Sequence, residues 1–470
     1  MDATELCFAS AGRLAALISS REVSPVEVVQ AHLARIEALE PTLNSFITLM
    51  PEEAMAAARR AEEEIQAGRY RGPLHGVPLG LKDLYYVKGV KNTFGSRVFD
   101  GFVPDHDCTI AERFREAGAV LLGKTNLHPF AFGPTGENDD YGHMHNPWDP
   151  RRISGGSSGG SGSAAASGQA TITMGTDTGG SVRIPSALCG LAGLKPTFGR
   201  LSKYGLNALS WTLDHPGPMC RTVEDCALAM NAIAGYDPRD PSSANVPVPD
   251  FTSGLTGDVR GLRVGVPSEY FDVPVDSQVE AAVRLALNVL GELGATVEEV
   301  SWPTYLDSAA ISTVILMGEA TAAHRDTVVT RGAEIYPPAR LRLEAGMFFS
   351  AADFLRAQRG RTLLEQETAS LLRDVDVLIG PSVPIVAHEI GAASVQIGDR
   401  TVGSVPALTQ YSRAFNVNGY PSMSVPCGFS DDGLPIGLQI AGRPFDEVTV
   451  LRVGHAYERA TDWHTRRPAL

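Results

Sequence analysis

Two glycine-rich turns that carry serines, and one lysine at the end of an apolar run, are the residues of this chain whose types and spacing could do chemistry. The first turn is Ile153-Ser-Gly-Gly-Ser-Ser-Gly-Gly-Ser-Gly-Ser163 and the second is Gly175-Thr-Asp-Thr-Gly-Gly-Ser-Val-Arg-Ile-Pro185. A Gly/Ser run is by composition a flexible linker. Here, however, no charged residue occurs between Arg152 and Asp177, and the run passes into small apolar residues and an expected strand from Thr171 to Met174. Such a backbone is buried, and without Cβ atoms its N–H groups can approach a ligand closely. In the second turn, two glycines immediately before Ser181 put its hydroxyl on a tight bend. Consecutive N–H groups there can aim at one point, which is what stabilising a developing oxyanion requires. A structural Gly-Gly turn whose serine caps a helix reads equally well from that segment alone.

Lysine is scarce. Lys82, Lys88, Lys91, Lys124, Lys195 and Lys203 are the only six, beside thirty-four arginines, and all lie between positions 82 and 203. Either residue serves as solvated charge, but only a lysine can give up its proton near neutral pH. Lys82 follows Val77-Pro-Leu-Gly-Leu81, a setting in which burial would disfavour the ammonium and turn the amine into a base. Lys88 and Lys91 read as loop charges, and a solvated strand-end lysine is the ordinary reading of Lys82 itself.

These groups need a frame. The N-terminal fifth is expected to be helical: Ser24-Pro25-Val26-Glu27 is a capping box with proline in the first turn, and Pro41 is expected to stop that helix. A second helix is expected from Pro51 to Ala67, with Gly68 as its C-cap. Val77 to Leu81, Ala119 to Leu122 and Thr171 to Met174 read as strands without polar alternation, the pattern of a sheet covered on both faces. Gly261 to Pro267, Ser277 to Leu293 and Thr296 to Val300 read as strand, helix and strand, residues 305–373 as helical, and Val375 to Ile379, Ser422 to Pro426 and Leu434 to Ala441 as the last strands. Asp237 to Ser253 is a Pro-, Asp- and Ser-rich loop or internal boundary.

Composition narrows the classes. Forty Lys plus Arg against 54 Asp plus Glu gives a net charge of −14, which repels phosphate backbones and anionic membrane surfaces. The expected partner is therefore a small molecule, with no nucleic acid and no membrane. The first twenty residues have no basic head, no run approaches eighteen apolar residues, and Cys7, Cys108, Cys189, Cys220, Cys226 and Cys427 are scattered. A cytoplasmic chain is expected, with no signal peptide, disulfide framework or zinc site.

Gly155-Gly-Ser-Ser-Gly-Gly160, followed 24 positions after Ser157 by Gly179-Gly-Ser-Val-Arg-Ile-Pro185, resembles the defining signature of the amidase signature family. Gly76-Val-Pro-Leu-Gly-Leu-Lys-Asp83 is similar to that family's lysine strand, and Gly123-Lys-Thr-Asn126, Asp214-His-Pro-Gly-Pro218, Phe415-Asn416 and Gly433-Leu-Pro-Ile-Gly-Leu-Gln439 are similar to further landmarks. The resemblance covers nearly the whole chain and is weakest from about 237 to 370. It implies an α/β amidase signature fold, a single domain over 1–470 with one large, mostly mixed sheet covered on both faces by helices. Within it, 1–70 would be the N-terminal helical part and 71–236 the signature-bearing core. Residues 237–373 would be a variable, mostly helical specificity region, and 374–470 the C-terminal part of the sheet. It further implies Ser181 as nucleophile, Ser157 as proton relay behind a cis Gly156–Ser157 bond, and Lys82 as general base. The N–H groups of Thr178, Gly179, Gly180 and Ser181 would form the oxyanion hole. Ser158 would be a second partner of the lysine, and Asp177 and Arg183 would support the loop, with neither metal nor cofactor needed.

The expected function is accordingly a hydrolase cleaving a linear amide of a small-molecule substrate through a serine acyl-enzyme, with carbamate or ester side activity and a homodimer in keeping with relatives. The alternative within the family is an amidotransferase A-type subunit, which works only in a complex that supplies tRNA recognition and the kinase step; its usual motifs after about residue 300 are not evident. Other readings are weaker. Ser157 and Ser158 both satisfy the G-x-S-x-G nucleophile elbow, but Asn146-Pro-Trp-Asp-Pro-Arg-Arg152 before them is a poor strand. No lysine has serine three positions before it, and His143, His145, Asp139 and Asp140 read as loop polarity rather than a metal site. Phe130-Ala-Phe-Gly133 is expected near the substrate pocket.

Overall fold

A computed structural model describes residues 1–470. Eleven strands form one mixed sheet in the spatial order Phe46–Leu49, Val120–Thr125, Pro78–Lys82, Ile172–Asp177, His215–Cys220, Ala192–Lys195, Ser422–Phe429, Pro435–Gly442, Val377–Pro381, Arg263–Pro267 and Thr296–Val300. Neighbours run parallel in two places, across the Val120, Pro78 and Ile172 strands and across the Val377, Arg263 and Thr296 strands. All other pairs are antiparallel. Successive side chains of a strand point to opposite faces, and every residue of Pro78–Lys82, Ile172–Asp177, Ala192–Lys195 and Pro435–Gly442 is buried. Both faces of the central sheet are therefore covered. Residues 237–373 contribute two of its strands, and four helices, Ser277–Glu292, Ser308–Arg331, Pro337–Ala345 and Ala351–Asp374, make up more than half of the rest. No helix is long and apolar enough to cross a membrane.

Three local expectations are corrected. The helix that begins at Pro25 continues through Pro41 to Leu43 and ends on Asn44 at φ +50°; a proline this near the end forfeits one hydrogen bond in a turn that is closing anyway. The Gly/Ser segment is not loop throughout, because Gly159–Ala166 is a helix whose eight residues are all buried. Before it, Asp149–Ile153 does form a strand, but in a two-stranded ribbon with His145–Asn146 outside the main sheet.

One central strand carries a sequence that argues against it. His215–Cys220 holds Pro216 and Pro218 yet pairs along its whole length with Ile172–Asp177. Its other neighbour, Ala192–Lys195, reaches only Met219 and Cys220, which leaves one side with few ladder bonds for proline to break.

Candidate active site

The three parallel strands Val120–Thr125, Pro78–Lys82 and Ile172–Asp177 end at one edge of the sheet, where Lys82 lies beside Thr125 and Leu81 beside Met174. Crevices beyond the carboxyl ends of parallel strands are where α/β sheets hold ligands. Lys82 is fully buried, and its Nζ lies 2.7 Å from Ser157 Oγ, 2.9 Å from Ser158 Oγ and 2.9 Å from Thr176 Oγ1. Sequence reasoning missed Thr176. Its signal was available, since Met174 and Thr176 share one face of a strand whose next-but-one position on that face opens the serine turn.

The close approach depends on a glycine. A Cβ at Gly175 would sit 2.7 Å from Ser158 Oγ, so a larger residue there would push the serine off the lysine. Gly156–Ser157 is a cis peptide, and the Ser157 carbonyl accepts the His128 N–H at 3.0 Å. No histidine ring hydrogen-bonds Ser157, Ser158 or Ser181.

Burial pushes the Lys82 ammonium down from its ordinary value to about 7, against a smaller opposing pull from the carboxylates of Asp214 and Asp177. The three hydroxyls satisfy either protonation state. An ammonium donates to all three. A neutral amine donates twice and accepts once, and since Ser158 Oγ donates to the Thr176 carbonyl at 3.2 Å, the accepted proton comes from Ser157 or Thr176. The lysine and Ser157 can thus exchange a proton without any heavy atom moving.

The second turn is braced by a buried ion pair. Arg183 donates through Nε and Nη2 to the Asp177 carboxylate at 3.0 and 2.9 Å, through Nη1 to Gln439 Oε1 at 2.8 Å, and through Nη2 to Asn416 Oδ1 at 2.8 Å. Asn416 in turn donates to the carboxylate at 2.8 Å. Burial alone would raise the Asp177 carboxyl, but the guanidinium charge and its hydrogen bonds hold it well below the usual carboxylate range. The landmarks around Asn416 and Gln439 are therefore parts of this brace.

Asp177 also fixes the main chain of the turn. It accepts the Gly180 N–H at 2.8 Å and the Val182 N–H at 3.2 Å. This corrects one expected donor: the Gly180 N–H is spent on Asp177, because that glycine sits at φ +125° and turns its amide inward. The N–H groups of Thr178, Gly179 and Ser181 have no partner within the chain, and Thr178 is held from the side by its hydroxyl, which donates to Asp214 Oδ1 at 2.6 Å. Asp214 is a second support that sequence reasoning did not single out.

Ser181 is 8% exposed and its hydroxyl makes no hydrogen bond to Ser157, Ser158 or Lys82. It opens with Thr178 and Gly179 onto a cleft lined by Ala131, Phe132, Gly133 and Pro134 and by Met317, Arg342, Thr409 and Arg413. The Phe130–Gly133 loop does reach this cleft, with Phe130 and Ala131 at φ +58° and +55°. Of the polar turn residues, His143 accepts from the Asn138 N–H and its Nε2 lies 4.0 Å from Asp139 Oδ1, whereas His145 bonds the Pro150 carbonyl and Asp140 accepts from Ser96 and Arg97.

Comparison with known proteins adds three findings. The family model described as Amidase matches residues 27–451. The A-type subunit of the glutamyl-tRNA(Gln) amidotransferase of Chloroflexus aggregans is 46% identical over 99% of both chains. Among solved structures, one described as "An unexpected vestigial protein complex reveals the evolutionary origins of an s-triazine catabolic enzyme" has a TM-score of 0.93 at 35% identity, covering 96% of this chain and 98% of that one. The corresponding A-type amidotransferase subunit of Thermotoga maritima has a TM-score of 0.79 at 32% identity, covering 93% and 91%.

These findings overturn two expectations. The reading as a free-standing hydrolase of a small-molecule amide gives way, because curated relatives across the full length are named as subunits of an amidotransferase. The exclusion of any nucleic-acid connection fails with it, since those names specify a tRNA substrate. Net charge misled for a physical reason: it describes the field of one chain, and is silent about an assembly in which other chains meet the polyanion.

Proposed function

Because the chain belongs to the amidase signature family, we propose on that premise that it is the amide-cleaving A-type subunit of a multi-subunit, tRNA-dependent amidotransferase. The observation that carries this reading is identity of 46% over 99% of a chain named as that subunit of a glutamyl-tRNA(Gln) amidotransferase. The description of the structural neighbour at TM-score 0.93 also concerns a protein complex, which favours partner chains.

The chemistry follows from the strand-edge geometry. Neutral Lys82 takes a proton from Ser157, which takes one from Ser181 as that oxygen attacks the carbonyl of an amide donor. The Ser157 and Ser181 hydroxyls, which do not bond each other here, come together when substrate fills the cleft, as catalytic hydrogen bonds often do. The N–H groups of Thr178, Gly179 and Ser181 hold the oxyanion. Ammonia leaves with the proton returned through Ser157, and water hydrolyses the acyl-enzyme while the ammonia passes to the activated glutamyl group on tRNA. Ser158 and Thr176 position the lysine, and Asp177 with Arg183 holds the turn. The helical part of 237–373 shapes the donor pocket.

The test uses the chain with its partner subunits, ATP, glutamyl-tRNA and an amide donor. Ser181→Ala should lower amide-dependent formation of glutaminyl-tRNA by about 10³-fold or more, as loss of a serine nucleophile does, and ammonium chloride should restore it. If the variant still uses the amide, Ser181 is not the nucleophile. If no amidation of tRNA depends on this chain, the assignment to a tRNA-dependent assembly is wrong.

A further inference from the structure

Away from the catalytic cleft, three guanidiniums gather around one phenyl ring. The guanidinium carbons of Arg35, Arg221 and Arg467 lie 4.8, 5.3 and 4.6 Å from the centre of the Phe8 ring. Phe8, Arg221, His464, Arg466 and Arg467 line one cavity, and no Asp or Glu does. None of these four arginines has a carboxylate within 4.0 Å, although thirteen others in the chain do. Arg221 is buried and donates to the Ala9 and Ala165 carbonyls at 2.9 and 3.1 Å, which leaves its Nε without a partner. The side chains of Arg466 and Arg467 donate to nothing in the chain. His464 Nδ1, in the same wall, is a buried polar atom with no partner.

A ring face attracts a cation only weakly, and one ring does not offset three charges that repel each other. Burial, with the charge of Arg467 acting the same way, pushes the guanidiniums of Arg35 and Arg221 down, against a pull from Cys7 and, for Arg221, from Asp225. Arginine does not escape such a conflict by losing its proton at neutral pH; a bound anion removes it. The acids nearby are already engaged: Asp225 accepts the Ala11 and Gly12 N–H at 2.8 and 3.4 Å, and Glu458 accepts the Val223 N–H at 2.9 Å. Those bonds take first-turn amides of the two helices that begin here, Ala11–Ser19 and Val223–Ile233. The free donors are therefore the side-chain cations. We propose that this cavity binds a phosphate group, held by Arg221, Arg466 and Arg467 with His464 Nδ1 completing the set. A carboxylate brings one charge and two oxygens; a phosphate brings nearly two charges and at least three acceptor oxygens, which suits several guanidiniums at once. Arg221 precedes the helix Val223–Ile233 and the other two belong to the C-terminal segment, so a bound phosphate would tie that segment to the core.

Titration calorimetry of the full chain with inorganic phosphate, at constant ionic strength, should show one saturable site with a Kd below about 1 mM. ADP titrated in parallel identifies the source: tighter binding than phosphate assigns the site to the terminal phosphate of a nucleotide, and weaker binding assigns it to the free ion. Arg467 is exposed, so Arg467→Met leaves the fold in place and should weaken phosphate binding about tenfold, and Arg466→Met with Arg467→Met about 100-fold, one charge-assisted contact being lost each time. Hydrogen exchange at the Thr465 and Arg466 amides should slow about tenfold with phosphate bound, as local opening becomes coupled to release. No saturable binding of either ligand up to about 10 mM, binding unmoved by the double substitution, or binding abolished by Arg413→Met in the catalytic cleft instead, overturns the proposal.

Discussion

Two regions of this molecule hold arginine near Ser181, one buried and one half-buried, and they treat its charge in opposite ways. At the end of the strand Ile172–Asp177, Arg183 meets a carboxylate, two side-chain amides and no solvent. In the cleft wall, Arg342 and Arg413 meet carbonyls, one hydroxyl and the ring of Phe132. A cation whose donors are all matched inside the chain is part of the scaffold. One left half-matched, facing a cavity, is waiting for something the chain does not contain. Burial alone therefore does not identify a functional charge; the identity of its partners does.

The largest effect should come from breaking the scaffold side. Arg183→Met leaves the Asp177 carboxylate buried without its cation, and removing one partner of a buried pair typically costs about 3–5 kcal/mol. Urea unfolding should show a loss of that size, with activity falling further because the Gly180 and Val182 amides lose their anchor. A loss under about 1 kcal/mol would mean that the pair behaves like a surface bridge, and the contrast between the two regions would dissolve.

A middle-sized effect concerns Lys82, a buried cation that belongs to neither pattern because it can shed its charge. Its active form is the neutral amine, and its value lies at about 7. Below that pH the ammonium accumulates and kcat/KM for amide cleavage should fall about tenfold per pH unit; above it the rate should level off. A profile flat from about pH 5 to 9 would show that the lysine does not titrate in the rate-determining step.

How much of this was legible in the sequence follows the same division. Lys82, Ser157, Ser158, Asp177, Ser181 and Arg183 sit in short stretches whose glycines exist because backbone must approach its neighbours closely, as at Gly175, and that requirement writes itself into the residue types. The strands flanking them were legible as apolar runs. What could not be read were contacts between distant segments: Asp214 under Thr178, and the strand His215–Cys220, whose two prolines argue against a strand until its sparse second neighbour is known. Arg342 and Arg413 were invisible for a related reason. Among thirty-four arginines nothing local marks the two that line the cleft.

The smallest effect is also the most discriminating between the two treatments of charge. Arg413→Met removes a charge that the fold has desolvated without pairing, and keeps most of the apolar volume of the stem. Against this stand the hydrogen bonds lost at Thr313 and Ala309, each worth about 1 kcal/mol net where the acceptor stays buried. The relief of repulsion from Arg342 and of the desolvation penalty acts the other way, so the unfolding free energy in urea should move by less than about 1 kcal/mol in either direction. If Arg413→Met instead destabilised the protein as much as Arg183→Met does, its charge would be serving the fold, and the two regions would treat charge alike.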